Sequence, residues 1–267
     1  MLPIPHGVPA PLVPYAPALL VLVAALAGGW FCRGKRHRAW LRVAMALAGL
    51  LGWAAITPFG RLRGAALSPS FGPDMLIVPA ALVVGIEALL VWRGGRHERW
   101  AAVASALGVG WWLARVGAGP GEFWRVWVVV AMLAGSVAFV VRRDTRRGAA
   151  LALALWGGAY VAGWPASWVA AAAVLAAPWL ALLVLRAEAA MPTALVAATL
   201  ASADLARGRL PRGHFGAADL VCLLALAAPF VAGWAETRLG RRWAGVAPAL
   251  GAAGVVAAGW GLRRALF

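Results

Sequence analysis

Apolar runs of roughly 15 to 20 residues, each about the length that crosses a bilayer core as a helix, follow one another along the chain and are separated by short bends carrying clustered arginine. Such a run, wound as a helix, satisfies its own backbone hydrogen bonds, which lipid cannot do for it. The pattern predicts an all-α, polytopic transmembrane helical bundle of about ten spans, with nine as the alternative, built as short antiparallel hairpins in one domain over 1–267. Composition agrees. Hydrophobic residues make up 63% of the chain and charged residues 13%, and the mean hydropathy is +0.82, whereas soluble domains are nearer half apolar and a quarter charged.

The tail Met1 to Pro17 holds six prolines and no lysine or arginine, so the basic n-region of a signal peptide is missing and no cleavage is expected. A neutral tail, then an apolar run from 18 to 32, then Arg33, Lys35, Arg36 and Arg38, predicts a tail outside and a basic bend in the cytoplasm. The expected setting is a bacterial-type cytoplasmic membrane. Further spans are expected near 40–57, 75–92, 100–117, 124–141, 148–164 and 168–185, and after a weaker stretch at 187–206 near 219–235 and 243–262.

That weak stretch decides between nine and ten spans. If it crosses, cytoplasmic bends hold 16 of the 25 basic residues; if it stays cytoplasmic they hold 18, so the distribution of positive charge slightly favours nine. Internal similarity favours ten. The bend Arg33 to Trp40 matches Arg93 to Trp100 at five of eight positions, and Arg99 to Gly108 matches Arg242 to Gly251 at eight of ten; like bends facing the same side require the weak stretch to cross.

Most of the 16 tryptophans flank the bends, as expected of indoles anchored at the headgroup boundary. By this reading Trp53, Trp164 and Trp168 are anchors at the outer ends, and only Trp156 and Trp179 lie near mid-span. Pro79, Pro178, Pro229 and Pro248 fall inside apolar stretches, where they can kink helices and free carbonyls.

The side-chain inventory is narrow. There is no asparagine or glutamine, Lys35 is the one lysine and sits in a basic bend, and the four histidines, His6, His37, His97 and His214, all lie outside the apolar runs. A retinal or pyridoxal Schiff base, an intramembrane bis-histidine haem and a histidine-rich metal site are therefore not expected; no cofactor and no metal are predicted. Motifs of zinc proteolysis and nucleotide hydrolysis are missing. The net charge of +16 is read as a topology signal that also attracts anionic lipid headgroups at the arginine bends, and no nucleic-acid partner is expected. Cys32 and Cys222 read as small buried hydrophobes.

Glu87 stands out among nine acidic residues. It lies about 9 Å of helix rise inside the Arg93 boundary, where an ionised carboxylate needs a partner, water or a proton. Arg42, just inside the preceding span from the same face, is the partner the sequence offers. Two readings follow: a proton- or cation-coupling site or the acidic end of a substrate pocket, and, more plainly, a carboxylate that reaches headgroup water or bonds a neighbouring helix. Arg115 is expected to snorkel at the outer face. Tyr160 is placed near mid-span, and Asp204 and Asp219 border the weak region; these residues complete the candidate set for substrate or proton coupling.

Many short spans, repeated bends and mid-span prolines point to a transporter, permease or flippase-like protein for a small apolar or amphipathic substrate, anionic ones included. An integral-membrane enzyme acting on a lipid-linked substrate, and a non-catalytic subunit bound to partner subunits in a larger membrane complex, are the alternatives.

Overall fold

The computed structural model describes residues 15–32, 40–56, 73–93, 98–117, 121–141, 144–186, 224–240 and 246–266. Among them are nine α-helices and no strand: α1 (Ala16–Phe31), α2 (Leu41–Ile56), α3 (Ile77–Trp92), α4 (Glu98–Gly117), α5 (Phe123–Val141), α6 (Thr145–Val161), α7 (Ala166–Val184), α8 (Ala228–Leu239) and α9 (Ala247–Leu266). Single 3₁₀ turns, Pro73–Leu76 and Leu224–Ala227, lead into α3 and α8. Each expected span outside the weak stretch contains a helix. The stretch 187–206, with Asp204, and Asp219 and Cys222 beyond it, lies outside the described residues.

Helix ends follow local chemistry. Asp144 caps α6, its carboxylate accepting from the backbone N–H groups of Arg146 and Arg147 at 2.9 and 3.4 Å, which satisfies two donors that the first turn leaves open. The helix therefore starts three residues before the expected span. Gly240, at φ +76°, ends α8; glycine takes that left-handed conformation without the clash a Cβ would bring. The bend expected at 236–242 is thus partly helical, since α8 runs through Glu236 and Arg238 to Leu239.

Three of the four mid-span prolines turn out to open helices. Pro79, Pro229 and Pro248 occupy the first turn of α3, α8 and α9, where the missing N–H would have had no intrahelical partner. Only Pro178 is interior, in α7.

α7 is the pillar of the bundle, packed against α1, α2 and α6. It is apolar on all sides and 78% of its length is buried, as a helix surrounded by other helices requires. From it the chain extends through α2, α3, α4 and α5 in one direction and through α6 to α8 and α9 in the other. Small residues allow the close contacts: a Cβ on Gly148 of α6 would run into the indole of Trp179, and one on Gly52 of α2 into Val21 and Val174. Trp179 is accordingly a core residue, 1% exposed.

The contacts also sort the helix ends. Gly29 at the end of α1 meets Met45 near the start of α2 and Leu185 just past α7, while Gly148 at the start of α6 meets Trp179 near the end of α7. These make up one end of the bundle, the arginine end, where Arg42, Arg93, Arg146, Arg147 and Arg186 stand at or near helix ends. At the other end the Trp53 indole N–H donates to the carbonyl of Ala171 (3.3 Å), and Tyr15 meets Trp156 edge-on at 5.9 Å between ring centroids.

By length and composition, α5 and α7 are long and apolar enough to cross a membrane; Ala16–Phe31, Leu41–Ile56, Ile77–Trp92 and Ala247–Gly261 are apolar but shorter. Sixteen helical residues reach about 24 Å, several ångströms less than a typical hydrocarbon core.

Tryptophans divide in two. Trp30, Trp40, Trp92, Trp100 and Trp234 are exposed at the arginine end, and Trp111, Trp124 and Trp260 are exposed at the other. Trp53, Trp164 and Trp168 correct the expectation of anchors: they are 0%, 5% and 5% exposed. The physical reason is visible for Trp53, whose N–H finds a backbone carbonyl of α7 instead of water.

Candidate functional site

Glu87 and Arg42 meet inside the bundle. Their helices run antiparallel, and the register puts the first turn of α2 beside the last turns of α3. Arg42 Nη2 donates to Glu87 Oε1 at 2.7 Å, with the two side chains 13% and 3% exposed. The distance is that of a strong, charge-assisted hydrogen bond. An isolated ion here would be costly, and mutual attraction offsets the desolvation only while the geometry holds.

The surroundings are apolar and small. Helical spacing places Ala46, Gly49 and Trp53 on the same face of α2 as Arg42, and Val83 and Ala80 on the same face of α3 as Glu87, with Leu76 just before that helix. All six are buried. Antiparallel register sets Ala46 about level with Val83, and Gly49 about level with Ala80, within one turn of about 5.4 Å. Although Gly49 is buried, a Cβ built there would meet no atom within 4 Å. The pair thus lies at the arginine end of a narrow interhelical seam that contains unfilled space.

The chemistry of such a pair is protonic. Protonating Glu87 removes one charge and weakens its bond to the Arg42 guanidinium, which stays positive between the helices. That favours separation of α2 from α3, hydration, or arrival of another anion. Ser105, in α4, is 2% exposed and its hydroxyl has no hydrogen-bond partner among the described residues.

The other candidates scatter. Arg115 is exposed near the end of α4, its guanidinium 5.3 Å from the ring centroid of Trp111 one turn earlier, an arrangement that keeps the charge at the surface. Tyr160 corrects the expectation of a mid-span hydroxyl: it is the last residue but one of α6, 69% exposed. It stands at the end of the bundle opposite Arg42. Asp144, placed in the bend before α6, caps that helix and holds Arg147 at 3.3 Å.

Sequence reasoning missed two features. One is the contact of Arg146 with Glu236, an ion pair that ties α6 to α8; two charges 90 residues apart carry no signal of contact in sequence. The other is a groove of about 470 Å³ between α6 and α9 that Tyr15, Trp156 and Tyr160 help to line. The clustering of both of the chain's tyrosines emerges only on folding. Comparison with protein-family models, curated proteins and solved structures finds no match to this chain.

Proposed function

We propose that the chain is a multi-pass protein of a bacterial-type cytoplasmic membrane, with ten crossings and its N-terminus outside, that moves a small apolar or amphipathic substrate, anionic ones included, in the manner of a transporter, permease or flippase. The observation that carries this reading is the ion pair buried between α2 and α3. Intramembrane ionisable residues are costly, and those that persist mark ion, proton or substrate paths. Arg42 and Glu87 are the coupling residues of the proposal; Tyr160 and Arg115 belong to its outer surface.

Three further features support the membrane layout. Six described helices are apolar, and exposed tryptophans gather at both ends of the bundle, as boundary anchors do. Arg146 at the start of α6 pairs with Glu236 near the end of α8. α6 and α7 form a hairpin, so α7 ends where α6 begins. Because α8 also ends there, it starts at the opposite end, and the chain between 186 and 224 joins opposite ends of the bundle. This supports an even number of crossings and a cytoplasmic bend at 240–246. The short helices fit a bilayer that thins locally, at a modest cost per ångström of mismatch.

In operation, the seam is closed while Glu87 is ionised and bound to Arg42. A proton arriving at Glu87, or an anionic group competing for Arg42, releases α2 from α3. Two states of one helix pair result, biased by a single charge.

The test is flux in proteoliposomes, read with an entrapped pH dye for protons and with dithionite quenching of fluorescent phosphatidylglycerol for lipid movement. The chain should support at least one of the two, and Glu87→Gln and Glu87→Ala should each abolish it. Normal flux in both variants removes the coupling role.

A further inference from the structure

α6 and α9 run parallel. Leu153, Gly157 and Tyr160 of α6 face Ala249, Ala252, Ala253 and Val256 of α9 across the groove, and Tyr15 joins them from the start of α1. Gly157 permits the approach, since a Cβ there would press on Val256. The volume of about 470 Å³ lies within the usual span of small-molecule seats, about 300–1,000 Å³. Its walls are hydrocarbon and aromatic, and its outer end is not. Tyr15 and Tyr160 stand at helix ends there, with phenol groups that prefer a boundary between oil and water.

One cation completes that end. Along α9 the face that carries Ala249, Ala253 and Val256 continues to Trp260 and Arg264 at spacings of three and four. Side chains on a helix lean toward its N-terminus, and Arg264 does so, its guanidinium 3.7 Å from the ring centroid of Trp260. The positive charge is thereby laid back toward the groove, one turn above it. An apolar trough that ends in two phenols and a guanidinium is complementary to a molecule with a hydrocarbon chain and an anionic head.

We infer that this groove is a seat for one acyl chain of an anionic phospholipid of the outer leaflet, with the phosphodiester held by Arg264 and the hydroxyls of Tyr15 and Tyr160. The seat rests on the membrane reading above, but not on the Arg42–Glu87 pair, which lies at the other end of the bundle.

The purified full chain is incubated with vesicles of phosphatidylethanolamine and phosphatidylglycerol in equal amounts, extracted in mild detergent, and the lipid retained per chain is measured by native mass spectrometry. Wild type should retain phosphatidylglycerol over phosphatidylethanolamine by about fivefold, as expected for one arginine at a membrane surface. Arg264→Gln should abolish the preference while lipid is still retained. Ala253→Trp fills the groove from its exposed side and should remove the retained lipid, with the circular dichroism spectrum unchanged. Equal retention of the two lipids by wild type, or undiminished retention by Ala253→Trp, overturns the seat. If the wild-type chain fails to float with the vesicles, the membrane reading falls and the seat with it; flotation without a retained anionic lipid overturns the seat alone.

Discussion

The guanidinium of Arg146, in the first turn of α6, meets the carboxylate of Glu236, in the last turn of α8. Both side chains are partly exposed, so the pair adds little stability, on the order of 0–1 kcal/mol. Its value is geometric. It makes the end of α8 a neighbour of the start of α6, and on the proposed membrane layout that relation favours an even number of crossings.

The side of α8 can be read chemically. In a background of Cys32→Ser and Cys222→Ser, Arg146→Cys with Glu236→Cys should cross-link under mild oxidation. Singly introduced Gly121→Cys should react with an impermeant maleimide on intact cells, whereas Thr237→Cys should react only after permeabilisation. Labelling of both from outside would reverse the proposed orientation of the last two helices.

Breaking the buried pair should separate folding from function. Glu87→Ala removes the carboxylate to which Arg42 donates and should lower stability in detergent by about 3–5 kcal/mol. The double change Arg42→Met with Glu87→Leu replaces both ions by hydrocarbon and should recover most of that loss, because apolar replacements of buried pairs are often neutral or better. Flux, on the proposed function, should stay absent. Thermal unfolding and proteoliposome flux on the same preparations check the two halves.

Two glycines should respond in opposite directions. Gly49→Ala enters open space and adds helix propensity, so it should be neutral or stabilising by about 0.5–1 kcal/mol. Gly148→Ala drives a methyl into the buried Trp179 indole, which cannot step aside in a packed core, and should destabilise by about 1–3 kcal/mol. Melting temperatures of the two variants, measured side by side, decide.

Trp53 offers a check on helix association. Trp53→Phe keeps one six-membered ring but loses the pyrrole ring and its N–H donor to the Ala171 carbonyl in a fully buried site, and should lower stability by about 1–3 kcal/mol. Trp30→Phe, at an exposed end position, should change it by a few tenths at most. A larger loss at Trp30 would mean that the boundary anchors, not the interhelical bond, hold the bundle.

Much of the helical layout was legible in sequence because it is a matter of neighbours along the chain. Arginine bends and apolar runs located the nine described helices to within a few residues at most ends, and before α8 the described chain opens on a 3₁₀ turn, Leu224–Ala227. The meeting of Arg42 and Glu87 was legible for the same reason: both stand a short, countable rise inside bends on one side of adjacent spans. Tyr160, in contrast, was placed too deep, since the span was set about three residues late at both ends; the Asp144 cap starts α6 earlier than hydrophobicity alone suggests.

What the order of residues determined by itself is the set of helices, their capped ends and the charges near each end, because hydrogen bonding within a helix and apolar periodicity are local. Which helix became the pillar, which tryptophans were buried and which distant charges met were decided only on packing. α7 is no more apolar than α5, yet one is 78% buried and the other 28%. The difference lies in partners: alanine and glycine surfaces on α1, α2 and α6 let α7 approach closely on every side, and complementarity between surfaces far apart in the chain leaves no periodic mark in any one of them.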